Sequence, residues 1–472
     1  MLEPSVRAMV ESRIGSIEAP AGTGKTEQIA RIAGQLPGRW LVLTHTIAGR
    51  DAIRRRMTNL GVAASKAQVD TLAAWSHRWA TAYPKASHLP VATLRAKNNW
   101  TQVQTAAAML VESGAVASVL KASYEGVLID EYQDCSESHH RLACALSKTL
   151  RCYVFGDPYQ AIFGFSKEDA LVDWQATALS VFPLHGKLSE PRRWIAAKNE
   201  PLGRWLLDVR ESVANGVIDL RDAPVAVEWV EFGPDEQPGE LAKRCRKHGQ
   251  RDGEVLVVID SSTRVTRRAD IAKRIGGTTI EPVAGPCETE FYTALASKHG
   301  IERIQALLDL AGTAYTGVNV AQKLKRVDSI LERPNKLKNA PSEAELAISA
   351  VARDDTVATV LDALDSIGVE AGVRVVRPEL VSSVKSTLRL MSAEPSLSIV
   401  DACWQIANRK RQRGRTIRNR SVGSTLLVKG LEFDHAVITP HACTTRFDWY
   451  VALTRATRSV RVLSPGPVVN VD

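Results

Sequence analysis

The segment Ala19-Pro20-Ala21-Gly22-Thr23-Gly24-Lys25-Thr26 has the residue types and spacing of a site that does chemistry. Gly22 and Gly24 let successive backbone N–H groups point into one concavity, where they cradle phosphate oxygens at the start of a helix read over 27–34. Lys25 supplies a point charge to the β- and γ-phosphates, and the Thr26 hydroxyl is a ligand for Mg²⁺. The first position is Ala19 rather than the glycine of the general pattern. Downstream, Val127-Leu128-Ile129 runs into Asp130 and Glu131. Two adjacent carboxylates at the exit of an apolar strand can divide two tasks: Asp130 holds the Mg²⁺ shell, and Glu131 orients and deprotonates an attacking water. Alone, such a pair is a surface turn; behind a phosphate loop it is the second half of a nucleoside-triphosphate site.

These groups need strands to hold them. Short apolar runs predict strands at 15–18, 40–44, 126–129 and 152–155, and a second set at 227–231, 254–259, 436–439 and 460–463. Strands alternating with amphipathic helices are the pattern of parallel α/β cores. Each set is interrupted by a stretch without strand runs, at about 80–121 and 287–410, where Gln104–Leu110, Ile301–Leu310 and Ser342–Ala352 read as helix. The simplest arrangement is two α/β domains, each carrying a helical insertion.

A length of 472 residues suits two to four domains of about 150 residues, and 44% hydrophobic with 24% charged residues excludes wholesale disorder. No apolar run approaches the roughly 18–20 residues that cross a bilayer, and Met1–Ile14 lacks the apolar stretch of a signal peptide. Seven scattered cysteines, never spaced Cys-x-x-Cys, give little support to a zinc or iron–sulfur site and point to a reducing, cytoplasmic setting. The net charge of +9 is mild and concentrated: the stretch from Arg409 to Arg420 holds seven basic residues and no acid. It is either a solvated connector or a strip that grips phosphates.

Further motifs follow in order, and with them the chain resembles superfamily 1A DNA helicases of the UvrD/Rep/PcrA kind. Thr44-His45-Thr46, Val69-Asp70-Thr71-Leu72-Ala73-Ala74-Trp75, and Phe155-Gly156-Asp157-Pro158-Tyr159-Gln160-Ala161-Ile162-Phe163-Gly164-Phe165 match the first half of the series. Leu188-Ser189-Glu190-Pro191-Arg192-Arg193, Val428-Lys429-Gly430-Leu431-Glu432-Phe433 and Tyr450-Val451-Ala452-Leu453-Thr454-Arg455-Ala456 match the second. The resemblance implies an α/β fold of two RecA-like P-loop NTPase domains with ATP between them. The first RecA-like domain (1A) would take residues 1–79 and 122–189, with a short insertion (1B) at 80–121. The second (2A) would take 190–286 and 415–472, with a helical insertion (2B) at 287–414. Gln160 would sense the γ-phosphate or the attacking water, Arg193 and Arg455 would stabilise transition-state charge from the second domain, and Glu432, beside Gly430, would meet the ribose. ATP and Mg²⁺ are the implied cofactors, and single-stranded DNA with its junctions is the implied track. Thr44, His45, Thr71, Trp75, Phe163 and Phe165 are the candidate DNA contacts. Trp75 and Trp79, spaced i, i+4, read equally well as core, and His45 as a merely polar histidine.

Some positions depart from the family. The first glutamine is Gln28, after the phosphate loop rather than before it, so selectivity for adenine is expected to be relaxed. Arg192 stands where a tyrosine usually stacks on the base; its planar guanidinium can stack instead. Ala73, Leu426 and Ser166 replace residues that couple hydrolysis to DNA. With the short first insertion, they favour a weak helicase or a translocase. A nuclease domain is not expected at the C-terminus, so any cutting falls to a partner. Compact proteins of this kind resemble the helicase component of Gabija-type antiphage systems, which work with an OLD-family nuclease. If Phe165 stacks on a base, Phe165→Ala lowers DNA-stimulated ATP hydrolysis more than DNA-independent hydrolysis; equal losses in a steady-state assay would make it a core residue.

Overall fold

The computed structural model describes residues 1–89, 100–162, 169–233, 237–246, 250–262, 265–280, 286–337, 339–394, 397–399, 402–403, 405–406 and 417–471. Phe163, Phe165 and the 409–416 part of the basic strip therefore lie outside the described residues.

Six strands form the first sheet: β1 (Ile14–Glu18), β2 (Trp40–Thr44), β3 (Ala67–Thr71), β4 (Gly126–Ile129), β5 (Arg151–Gly156) and β6 (Leu184–Lys187). All pair in parallel, in the order β3-β2-β4-β5-β1-β6. Parallel sheets are covered by helices on both faces, which is why β2 and β4 are buried along their whole length and read as apolar runs. The edge strands β3 and β6 gave no such run. Their sequences, AQVDT and LHGK, meet solvent along one side and need no continuous apolar character.

A small antiparallel pair joins β7 (Val217–Asp219) to the last strand, Val468–Asn470. The second sheet takes β8 (Val227–Glu231), β9 (Leu256–Ile259) and β10 (Thr278–Thr279). After the short ribbon of β11 (Tyr315–Thr316) and β12 (Arg374–Val375), it adds β13 (Arg420–Gly423), β14 (Phe433–Ile438) and β15 (Ala456–Ser464). Its strands are again all parallel, ordered β10-β13-β9-β14-β15-β8. The fold is thus α/β with two RecA-like sheets.

The helices of 287–399 enclose a core of their own, built on Phe291, Leu307, Ile348, Leu364 and Leu388. The segment expected as a first insertion behaves differently. The helices Trp100–Glu112 and Ala117–Ser123 bury Ala107, Leu110 and Leu120 in one core with Leu41, Val127, Ile129 and Val154 of the first sheet. They belong to the first domain rather than to a separate body, because their Ala-rich face packs closely against the helices Leu72–Ala82 and Glu137–Thr149 of that same core. No single helix among the described residues is long and apolar enough to cross a membrane.

Trp75 belongs to that same core. It is fully buried, its ring 5.2 Å from that of Trp79, which in turn stacks on Tyr83. The DNA-platform reading of Trp75 is therefore set aside in favour of packing. Trp75→Ala should cost about 3–5 kcal/mol of unfolding free energy by chemical denaturation; a loss below about 1 kcal/mol would contradict a core position.

Candidate active site

Strand order explains why the expected residues meet. β4, β5 and β1 are neighbours and run the same way, so the chain emerging from each arrives at one edge, where the connection from β1 leaps across β5 and β4 to β2. Crevices at such switch points are where α/β sheets bind ligands. β1 delivers the phosphate loop, β4 delivers Asp130 and Glu131, and β5 delivers Asp157 and Gln160.

The loop is pinned from several sides. Ala19 N–H donates to Gly156 O, Ala21 N–H to Asp157 Oδ2 at 3.1 Å, and the Thr23 hydroxyl to Pro20 O at 2.7 Å. Gly22 and Gly24 have φ of 70° and 93°, which side chains rarely adopt, and Gly24 caps the helix Lys25–Gln35. A Cβ on Gly22 would collide with the Trp194 ring, and one on Gly24 with Arg192.

Lys25 Nζ lies 3.0 Å from Asp130 Oδ1 and 2.6 Å from Glu131 Oε1. Burial works against the Lys25 charge, yet the two carboxylates hold its pKa above the ordinary amine value. Burial raises Asp130 out of the usual carboxylate range. It would raise Glu131 too, but Lys25, Lys429 and a hydrogen bond from Gln133 bring Glu131 down to about 2. Glu131 also has a left-handed backbone, φ 56°, a strained conformation of the kind that collects at functional positions. Glu131 is thus ionised beside the phosphate cradle, and its basicity rises if Lys25 turns from it to a phosphate.

The second domain reaches the same edge. Arg455, almost fully buried, donates to Gln160 Oε1 at 3.2 Å, while Gln160 Nε2 donates to Asp157 Oδ2 at 2.7 Å. Burial, with Arg193 nearby, lowers Arg455 to about 10. The Arg193 N–H donates to Gly22 O at 3.0 Å, and its guanidinium pairs with Glu432 at 2.7 Å and donates to Thr454 O. Arg192 lies over Gly24 and pairs with Glu3, whose N–H donates to Gln28 Oε1. Gly430 turns the chain at φ 78° between Lys429 and Glu432.

Three groups escaped the sequence reading. Lys429 Nζ bridges both Asp134 oxygens at 2.6 Å, a buried ion pair joining the domains. Lys429 stands in one of the motifs and Asp134 only three residues beyond Glu131, so their positions were a signal. Arg210, on the helix Glu200–Ala214, offered none: on an amphipathic helix an arginine reads as solvent-facing, whereas here it is 1% exposed.

The first-domain DNA candidates fare less well. The Thr71 hydroxyl caps its helix by accepting from Ala74 N–H, and Thr44 is fully buried at the end of β2. His45 Nε2 sits 3.4 Å from Cys135 Sγ, and its ring meets His139 edge-on. Open space lies elsewhere. A cavity of about 690 Å³ is walled by Ala161, Ile162 and Leu171 from the first domain and by the carboxyl ends of β13, β9 and β14. From the latter come Ser261, Ser262, Ser424, Thr425, Thr444 and Thr445, with Arg268 and Arg446.

Fold and site together define a P-loop NTPase whose two RecA-like domains share one nucleotide edge. The UvrD/REP helicase N-terminal domain model matches residues 86–171, the stretch that carries Asp130, Glu131 and Gln160. Residues 86–171 are thus similar in sequence to the N-terminal domain of UvrD/REP helicases. The Pif1 helicase from Candida albicans aligns over 99% of this chain and 96% of that chain at 14% identity, with a TM-score of 0.42, too distant to add weight. No curated protein matches the chain in sequence.

Burial holds His139 at about 4 and His45 well below its ordinary value. Both bind fewer protons folded than unfolded, so their contribution to stability is complete above about pH 6.5 and is lost as pH falls toward 4. The thermal midpoint should drop across that window, and His139→Gln should make the drop shallower. An unaltered profile in the variant would remove His139 as a source.

Proposed function

We propose that the chain is a DNA-stimulated ATPase that moves 3′→5′ on single-stranded DNA and separates duplex at junctions. One observation carries the reading: the second domain touches the site itself, the phosphate loop through Arg193 N–H on Gly22 O and the turn after β5 through Arg455 on Gln160. Hydrolytic groups split between two bodies make turnover depend on their closure, which is the mechanical step of a motor.

Lys25 and the helix N-terminus draw the triphosphate into the loop. Glu131 takes a proton from the attacking water, Gln160 orients it, and Arg193 and Arg455 meet the charge that develops; such arginines are worth about 10³–10⁵ in rate in related hydrolases. Thr26 and Asp130 suit Mg²⁺, since buried Asp130 Oδ1 has no hydrogen-bond donor and meets only the Lys25 cation. A divalent cation held there neutralises β- and γ-phosphate charge. Arg192 stacks on the base, and Glu432, more than half exposed and paired with Arg193, turns to the ribose when Arg193 moves to phosphate.

The track runs through the cavity beside Ala161 and Ile162, the residues that follow Gln160. Arg268 and Arg446, beside Asp448 and a ring of hydroxyls, supply the charge that grips backbone phosphates without reading sequence. Phe163 and Phe165, which follow in sequence, remain the candidates for stacking on bases.

A second reading, an ATPase subunit that senses DNA ends or single strands for a separate OLD-family nuclease in defence or repair, is favoured by one feature. The helices at 100–123 are absorbed into the first core and project no duplex-facing body.

Strand displacement on 3′- and 5′-tailed duplexes separates the two. Release of strand from the 3′-tailed substrate, abolished in Lys25→Ala, supports the motor. Vigorous DNA-dependent hydrolysis without displacement turns the assignment to the sensor, and unwinding from the 5′ tail overturns the polarity.

A further inference from the structure

Arg210 belongs to the second domain, yet its acceptors are both in the first. Nη2 donates to Glu18 Oε1 at 2.7 Å and to Asp157 Oδ1 at 2.8 Å. Glu18 is the last residue of β1, immediately before the phosphate loop. The Tyr159 and Tyr450 rings lie 4.5 Å and 5.7 Å from the guanidinium carbon, well placed for cation–π attraction. Asp157, fully buried, has a second oxygen, and that oxygen accepts from both Ala21 N–H of the loop and Gln160 Nε2. A single carboxylate therefore fixes the loop and aims Gln160, and a cation from the opposite domain fixes the carboxylate.

Packing alone explains this poorly. Nε and Nη1 of Arg210 are buried without an acceptor, and a buried guanidinium with unmet donors costs free energy that an apolar side chain of similar size avoids. What the arginine uniquely provides is directional attachment across the domain boundary.

We propose that Arg210 is a positioning residue for ATP hydrolysis: through Asp157 it makes the aim of Gln160 and the set of the Ala21 N–H conditional on docking of the second domain. The proposal rests on the reading of this edge as an ATP hydrolase site. When the second domain swings away, Arg210 leaves with it, and Asp157, Gln160 and the loop relax together. Capture of the nucleotide depends on Lys25 and the helix N-terminus, neither of which touches Arg210. Its influence therefore falls on turnover.

The test is a cycle of Arg210→Met, Asp157→Asn and the double variant in the full chain, assayed with ATP and single-stranded DNA, with Arg210→Lys as the conservative variant. Arg210→Met is expected to lower kcat about 100-fold, the loss that goes with displacing a catalytic group by about 1 Å. KM for ATP should stay within about threefold, as befits an interaction that acts on the transition state. The double variant should be no slower than Asp157→Asn alone, because both changes act through one carboxylate. Arg210→Lys should recover part of the rate, since an ammonium still bridges Glu18 and Asp157. Losses that multiply in the double variant, or a raised KM with unchanged kcat, would overturn the proposal, as would Arg210→Met with wild-type kcat and only a lowered Tm. If Arg210→Met does not fold, Arg210→Lys against Asp157→Asn carries the same comparison. A wild-type chain inactive toward ATP would instead overturn the hydrolase reading, a separately visible failure.

Discussion

A triphosphate site needs a lysine and two carboxylates held together before any substrate arrives, and this molecule depends on that placement. Lys25 sits within 3.0 Å of both Asp130 and Glu131 only because β1 and β4 flank β5 in register and end at one edge. The arrangement is electrostatically tense. Burial opposes the charge of each member, and removing one would leave its partners charged and unmatched. An incoming polyanion relieves that tension on the lysine side, which gives nucleotide binding a physical reason to reshape the edge.

The second domain adds further cations to the same place. Arg455 and Lys429 are both desolvated enough to be pushed below their ordinary values, and each is held by a polar group of the first domain, Gln160 and Asp134. Arg210 does likewise with Glu18 and Asp157. Desolvated cations crowded at a cleft gain most from phosphate charge, and lose most when the cleft opens. On the proposed reading, fuel and track lie close: Gln160 is followed directly by Ala161 and Ile162, which wall the cavity.

The residues that act through type and spacing were legible. Phosphate cradles are local, so Gly22-Thr23-Gly24-Lys25-Thr26 announces itself, and a buried parallel strand such as Trp40–Thr44 is apolar along its whole length. Edge strands were not, because β3 and β6 carry no apolar run, nor was the fate of 100–123, whose apolar face fits a separate bundle as well as a sheet. Trp75 shows the same ambiguity: a tryptophan can stack on a base or fill a core, and its periodicity serves both.

By itself, then, the chain's amino-acid order determined the glycine-bearing loop before a helix, the parallel α/β character and the presence of two sheets, since these follow from local backbone freedom, side-chain type and hydrophobic period. Tertiary structure alone decided which polar groups meet across the boundary. That Asp157 joins Ala21 and Arg210, and that Ser261 and Thr425 line open space, depends on how separate strands are ordered and docked. Contacts between residues 136 and 53 positions apart are set by packing of whole sheets, and no local pattern encodes them.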